Sequence, residues 1–243
     1  MSNLFRRAAV LAALAVAACD TTPAQPPMAI LPAEQSRFLG PRGVDLATDA
    51  SDVINELRTS RLDFVARYYR DPASRWPALT PREARRLSAL GLNIVTVWES
   101  HSGTVGYFSY ASGYNDALSA YRQAYAVGQP VGSAIYFAVD FNAGPSQLYY
   151  IDQYFRGINA GLYSASRGRP AFRVGVYGSG YICDAMRRAR LAQYSWLSNS
   201  TAWAGSQSYA GWNIRQHGPL ATLSFNHDFN DARADYGGFR VVN

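Results

Sequence analysis

Eight short apolar runs recur along the chain, and most of them end in an acidic, amide or aromatic residue. The runs span residues 43–45, 64–69, 94–99, 135–140, 174–177, 194–197, 212–216 and 223–228. Segments with helical spacing separate several of these runs. Such alternation implies parallel strands joined by right-handed crossovers. The repeat therefore restricts the fold to a closed (β/α)8 barrel or an open doubly wound sheet.

Polar residues end nearly all of the runs, and this favours the closed barrel. We predict an α/β fold in which a single domain forms a (β/α)8 TIM-like barrel. The prediction covers both a regular and an irregular barrel. Catalytic groups of such barrels sit at the C-terminal ends of the strands. We therefore expect five polar side chains to converge on one cavity: Asp45, Glu99, Asp140, Gln216 and Asp228.

Helix signals lie between the runs. Residues 80–83, Thr-Pro-Arg-Glu, form a capping box in which Thr80 accepts from a backbone amide and Glu83 reaches back. Residues 114–127 form a second amphipathic stretch, and Pro145 opens a third. These segments predict helices packed around the strands.

The N-terminus carries a targeting signal. Arg6 and Arg7 precede an apolar stretch over residues 8–18, and small residues stand directly before Cys19. This pattern predicts a secretory signal peptide over residues 1–18. It resembles the lipobox of bacterial lipoproteins, which implies that Cys19 becomes the lipidated N-terminus. An ordinary signal peptide followed by a chance cysteine is the alternative.

The segment after the cysteine is rich in Pro, Thr, Ala and Gln. We predict a flexible tether over residues 19–39 and one barrel domain over residues 40–243. Asp20 favours, by the same lipoprotein resemblance, retention at the inner membrane. The expected location is the cell envelope, with a lipid anchor on the outer side of that membrane.

Composition limits the classes of partner and chemistry. All 23 basic residues are arginine, the formal net charge is +6, and no nucleic-acid-binding motif is present. Cys183, the second of two cysteines, follows the fifth run and is interpreted as a packed residue rather than a nucleophile. His101, His217 and His227 fall near run ends, but their spacing matches no compact metal motif. We predict neither a metal nor a cofactor.

The most specific pattern is the run over residues 135–140. The two-residue period of a strand directs Asp140 and Asn142 together toward the barrel mouth. Further motifs with a recognisable order are Gly43-Val44-Asp45, Arg67-Tyr68-Tyr69, Val97-Trp98-Glu99, Gly175-Val176-Tyr177-Gly178, Gln216 and Asp228-Phe229-Asn230. On these residues the chain resembles the family 25 glycoside hydrolases, which are lysozymes with an irregular barrel. It is more similar still to related glycoside-hydrolase-like barrel domains of bacterial envelope proteins.

The resemblance implies glycoside hydrolysis, which needs one carboxyl group as acid and a second to stabilise or attack the reacting carbon. In the lysozymes the acid is a glutamate two residues after the strand aspartate, but here that position is Asn142. Glu99 is the natural replacement, because aromatic and partly dehydrated surroundings beside Trp98 raise a carboxyl pKa. Asp140 then acts as the second carboxylate or orients an acetamido group of the substrate.

Asp45 and Asp228 are expected to support these two catalytic residues. The alternative is that such acidic residues cap helices or pair with arginines. If Glu99 and Asp140 merely pair with arginines, the mouth would be a binding cavity or a relic.

A set of aromatic and amide residues is predicted to bind the sugar: Tyr68, Tyr69, Trp98, Asn142, Tyr177, Trp196 and Gln216. Sugar rings have apolar faces that pack on aromatic side chains. The alternative is that many of these aromatics fill the core between sheet and helices.

These observations lead to two hypotheses of different classes. The first is an envelope lipoprotein that acts on, or recognises, a cell-wall polysaccharide such as peptidoglycan, with a membrane contact through Cys19. The second is a catalytically inactive glycan-binding module.

Overall fold

The computed structural model describes residues 39–169 and 171–242, which form one compact unit. The predicted signal peptide, the lipidation site Cys19 and the tether up to residue 38 lie outside the described residues. No helix of the described part is long and apolar enough to cross a membrane.

Eight strands close into a barrel, each hydrogen-bonded to its neighbours in sequence. They are β1 (Arg42–Asp45), β2 (Phe64–Tyr69), β3 (Asn93–Trp98), β4 (Ala134–Ala138), β5 (Arg173–Gly178), β6 (Tyr194–Leu197), β7 (Ile214–His217) and β8 (Asp228–Ala232). In residues 39–169 and 171–242 five α-helices lie outside the barrel, namely α1 (Ile54–Thr59), α2 (Pro81–Ala89), α3 (Tyr110–Val127), α4 (Leu148–Ala165) and α5 (Gly180–Arg188). The predicted barrel is thus confirmed, in an irregular form.

The eighth strand differs from the prediction. The six pairs of neighbouring strands from β1–β2 to β6–β7 are parallel, whereas β8 pairs antiparallel with both β7 and β1. The eighth run, residues 223–228, is therefore not a strand that ends at Asp228; Asp228 begins β8 instead. The cause is the connection of ten residues, 218–227, because a parallel crossover needs about a dozen or more.

Apolar residues form two layers, one inside the barrel and one between the barrel and the helices. Along each strand, alternate residues point to one layer or the other. Two glycines make room for large rings in the inner layer. A Cβ atom at Gly43 would lie 2.4 Å from the Phe64 ring, and one at Gly175 would lie 2.4 Å from the Tyr136 ring. The interior below the mouth is therefore filled by side chains.

Helix α2 begins as its sequence predicts, but its glutamate does not behave as predicted. The Thr80 hydroxyl accepts a hydrogen bond from the Glu83 amide at 3.1 Å. The Glu83 carboxylate, however, accepts from the Arg67 guanidinium of β2 and from the Ala50 amide at 2.8 Å. Arg67 also donates to the Leu46 carbonyl at 2.9 Å. Both charged side chains are fully buried. Through these hydrogen bonds the pair joins α2, β2 and the β1–α1 loop.

The predicted second and third helices correspond to α3 and α4. Helix α3 starts four residues earlier than the predicted 114–127 and ends at Gly128, whose φ of 84° is the left-handed conformation of a helix C-terminus. Pro145 opens a short 3-10 turn, and α4 continues from Leu148.

We expect Glu83→Gln to lower the free energy of unfolding by roughly 3–5 kcal/mol, because it leaves the Arg67 charge buried without its counter-charge. Urea unfolding followed by circular dichroism measures this loss. Asp152→Asn is the control, since it removes the exposed Asp152–Arg156 pair and should change stability little. A similar small change in both variants would contradict a structural role for the buried pair.

Candidate active site

Four carboxylates meet at the mouth formed by the C-terminal ends of the parallel strands. Asp45 ends β1 and lies opposite Asp228, the first residue of β8. Glu99 follows β3 directly, in the same alternation as the inward-facing Val95 and Val97. Asp140 follows β4 in the alternation of the inward-facing Tyr136 and Ala138. The structure therefore brings together the acidic residues that the sequence predicts to converge.

The floor of the mouth is a hydrogen-bond network centred on Asp45, which is 4% exposed. One carboxylate oxygen accepts from the Tyr68 hydroxyl at 3.1 Å. The other accepts from the Asn230 amide at 2.7 Å and the Gln216 amide at 3.0 Å. Asn230 is in turn held by the Trp196 indole N–H at 2.8 Å. The orientation of the Asp45 carboxylate is thus fixed from three sides.

Gln216 links this floor to the rest of the rim. Its amide group also donates to the Asp228 carboxylate at 3.3 Å, and its carbonyl oxygen accepts from the Tyr177 hydroxyl at 2.9 Å. The backbone amide of Asn199, in the β6–β7 loop, donates to the same oxygen at 3.3 Å. Gln216 therefore positions other residues of the site.

Burial raises the pKa of Asp45 to about 6, and the Asp228 charge adds to this, although the hydrogen bonds from Asn230, Gln216 and Tyr68 act in the opposite direction. Burial is also the main cause that raises the pKa of Asp228 and Asp140. Asp140 is the most exposed of the four, but its carboxylate loses part of its hydration in the mouth.

Glu99 is a second carboxyl group of the mouth whose pKa is strongly raised. Burial, followed by the neighbouring Asp140 charge, raises its pKa to about 7; Arg70 lowers it and Asp45 raises it further. Within the described chain the Glu99 carboxylate has no hydrogen-bond partner, and none of the four mouth carboxylates pairs with an arginine. These carboxylates therefore form no direct ion pair with an arginine, although the Arg70 charge acts on Glu99. Glu99 is a carboxyl group that exchanges its proton near neutral pH.

Arg70 is a residue of the site that the sequence prediction missed. Its guanidinium lies over the Tyr68 ring, 4.2 Å from the centroid, and donates to the Glu99 carbonyl oxygen at 3.3 Å. Gln123 of α3 holds the Arg70 backbone through both its amide group and its carbonyl oxygen. The sequence contained a signal for this position, because residue 70 continues the inward alternation of Phe64, Ala66 and Tyr68.

Two of the predicted aromatic residues line the mouth. Tyr68 and Tyr177 are partly exposed and pack against the inner layer. Burial raises the pKa of both phenols well above the ordinary value, so that each hydroxyl remains a hydrogen-bond donor.

The other three predicted aromatics are not exposed at the mouth. Tyr69 and Trp98 point outward into the layer between barrel and helices, where Tyr69 donates to Gln129 at 2.8 Å. Their strand positions have the opposite parity to Tyr68 and Glu99, so their side chains leave the barrel on the other side. Trp196 points inward but lies in the floor and is 1% exposed. A sugar-binding role for these three residues is therefore corrected to a packing role.

Asn142 is also displaced from its predicted position. Strand β4 ends at Ala138, so the alternation that predicted a shared direction with Asp140 stops before residue 142. The Asn142 side-chain oxygen accepts from the Ala204 amide at 2.9 Å and so attaches the β4–α4 loop to the β6–β7 loop.

In the part of the chain that the structure describes, the histidines and Cys183 form no hydrogen bond with the four mouth carboxylates, although the His227 charge lowers the pKa of Asp228. His217 contacts Asp231 at 3.0 Å on the outer side, and His227 contacts backbone groups of its own loop. In the described ranges no group of three or more His, Cys, Asp or Glu side chains is arranged to hold a metal ion. Cys183 is fully buried, and burial raises the pKa of its thiol, as the interpretation of a packed residue requires.

Solved structures share this barrel. The Tat-secreted protein Rv2525c of Mycobacterium tuberculosis, solved in complex with HEPES, has a TM-score of 0.67 and 22% identity, over 82% of this chain and 98% of that structure. A family 25 glycosyl hydrolase from Bacillus anthracis has a TM-score of 0.53 and 14% identity, over 83% of this chain and 94% of that structure. At these identities the similarity establishes the fold.

Sequence similarity connects the chain to a longer protein and to a domain family. The uncharacterized protein FadG of Bacillus subtilis is 29% identical over 163 residues, which are 65% of this chain and 28% of FadG. The chain thus spans less than a third of that relative's length. The sequence model of the Rv2525c-like, glycoside hydrolase-like domain matches residues 55–239. This match confirms the resemblance on which the predicted site rests, and the chain belongs to the Rv2525c-like, glycoside hydrolase-like domain family.

Proposed function

We propose that this domain cleaves a cell-wall glycan such as peptidoglycan, with Glu99 as the general acid. The observation that carries the proposal is the state of Glu99: a mouth carboxyl group with a pKa of about 7, free of ion pairs and beside a second carboxylate, Asp140. A general acid works best when its pKa lies near the working pH. Family membership and the family 25 fold support the same reaction class.

In the proposed reaction, protonated Glu99 donates its proton to the glycosidic oxygen while the bond from that oxygen to the anomeric carbon breaks. Asp140 stabilises the positive charge that develops on this carbon, or bonds to the carbon as a nucleophile; in the second case the bond to Asp140 breaks when water attacks. Water then adds to the carbon, and its released proton returns to Glu99. Atoms and charge balance without a cofactor.

The other mouth residues would position the substrate and stabilise its charge. Asp45 and Asp228 contribute negative charge near the reacting carbon, with Asp45 held rigid by its three donors. The rings of Tyr68 and Tyr177 offer faces for a sugar. Gln216 holds the floor residues in position instead of binding the substrate, because its side-chain oxygen and its amide group are already hydrogen-bonded within the protein.

The proposed location is the cell envelope, where such a glycan is found. It rests on the sequence alone: the signal over residues 1–18, the lipobox-like cysteine at position 19 and the tether to residue 39. A lipid anchor at Cys19 would hold the barrel near the outer side of the inner membrane.

A second candidate function is glycan binding without cleavage. One observation favours it: Asn142 stands where the lysozymes carry their acid, and its side chain attaches two loops. In that case the mouth would keep its tyrosines and carboxylates as a recognition site.

We expect Glu99→Gln to reduce the release of reducing ends from peptidoglycan by about 10²–10⁴-fold, the usual contribution of a proton-transfer group. Asp140→Asn should also reduce this release strongly, because it removes the second carboxylate that the reaction needs. Both substitutions keep the side-chain shape and remove the titrating group. Asp184→Asn, which lies in an exposed pair with Arg188 on α5, is the control and should retain full activity.

Three results would decide between the candidates. Activity that both substitutions abolish supports the hydrolase. Activity that neither affects would reject the site assignment. No activity from a folded protein that still sediments with peptidoglycan would support the binding module.

Arg70 gives a test of the proton donor itself. Because the Arg70 charge lowers the pKa of Glu99, Arg70→Gln should raise that pKa. The acid must be protonated, so the activity falls as pH rises through the Glu99 pKa; in Arg70→Gln this alkaline limb should move to higher pH. A pH profile of kcat/KM measures the shift, with the exposed Arg122→Gln as control. A limb that stays in place, or moves to lower pH, would contradict the role of Glu99.

A further inference from the structure

The end of the barrel opposite to the mouth carries two adjoining cavities, of about 570 Å³ and about 390 Å³. Their walls include the first residues of β3, β5 and β6 and the segment over residues 234–240. The two cavities share Gly132 and Arg173, so Arg173 lies where they join. Together they form a groove, called the basal groove below.

The wall of the basal groove is fixed by backbone hydrogen bonds. Phe239 exchanges two such bonds with Ile94 of β3, at 2.6 and 2.9 Å. The Gly237 carbonyl accepts from the Ala134 amide of β4 at 2.9 Å. The segment over residues 234–240 is therefore attached to two strands and forms a permanent side of the groove.

Arg173 is held in a defined orientation at the centre of the groove. One terminal nitrogen of its guanidinium donates to the Tyr194 hydroxyl at 2.8 Å, and that hydroxyl donates to the Asp235 carboxylate at 2.9 Å. Tyr194 is itself 3% exposed and packed in the barrel interior. A guanidinium has five N–H donors, so others stay available to a ligand.

The charge of the groove is positive. Arg169, Arg173 and Arg240 line it, and Asp235 is the acidic residue among its walls. Within the described chain none of the three arginines forms an ion pair, and Asp235 is occupied by Tyr194. The basal groove therefore has the opposite charge character to the carboxylate-rich mouth.

We propose that the basal groove binds an anionic ligand bearing more than one phosphate or carboxylate group, with Arg173 as the central contact. Guanidinium groups bind both kinds of anion through paired, charge-assisted hydrogen bonds. A groove of this volume is of the size that holds a small molecule or a short stretch of a polymer. The filled barrel interior separates it from the mouth, so this binding is independent of the proposed hydrolysis.

Calorimetric titration of the full chain with pyrophosphate and, separately, with oligogalacturonate tests the proposal and distinguishes phosphate from carboxylate ligands. We expect saturable binding of at least one probe. Arg173→Gln should weaken it about tenfold or more, since a charge-assisted contact is lost. Arg122→Gln is the charge-matched control, because Arg122 is exposed on α3 outside the groove, and should leave affinity unchanged.

Tyr194→Phe distinguishes binding at an oriented Arg173 from the non-specific attraction of an anion to positive charge. It removes the hydroxyl that orients Arg173 and changes no charge, so we expect affinity to fall roughly fivefold, the value of one hydrogen bond. The proposal is overturned if neither probe binds saturably. It is equally overturned if Arg122→Gln weakens binding as much as Arg173→Gln, or if Tyr194→Phe has no effect.

Discussion

Strand β8 closes the barrel by pairing antiparallel with both β1 and β7, and the arrangement of the mouth depends on this closure. The reversal places Asp228 beside Asp45 and sets Asn230 within hydrogen-bond distance of the same carboxylate. Residues 228–232 in the parallel orientation would carry Asp228 to the opposite end of the barrel. The connection over residues 218–227 has ten residues, fewer than the dozen or more of a usual crossover between parallel strands, and this favours the antiparallel pairing.

Loss of hydration then gives the mouth carboxylates different properties. Burial is the first cause of the raised pKa in all four. Asp45 has three hydrogen-bond donors that favour its charged form, and it becomes a fixed anion in the floor. Glu99 has no such donors and stands near the Asp140 charge, so its proton equilibrium lies near neutrality. Burial thus raises both pKa values, to about 6 for Asp45 and about 7 for Glu99, and the two carboxylates differ in that only Asp45 is held by hydrogen-bond donors.

Much of this could be predicted from the sequence, because the period of two along each strand is a property of the backbone. Because side chains alternate along β3, Glu99 is predicted to face the mouth, and its neighbour Trp98 must then face outward. The same parity separates Tyr68 from Tyr69 and includes Arg70, which the sequence prediction overlooked. The hydrogen bonds of Asn142 could not be predicted, because they join loops far apart in the chain.

The role of Glu99 as the general acid is tested most directly by a measurement of its pKa. Carbon-13 NMR of the glutamate side-chain carboxyl groups, assigned by comparison with Glu99→Gln, follows its titration without any substrate. We expect a midpoint near pH 7. A midpoint near the ordinary glutamate value of about 4.3 would contradict it, because Glu99 would then be fully ionised at neutral pH and unable to act as the acid.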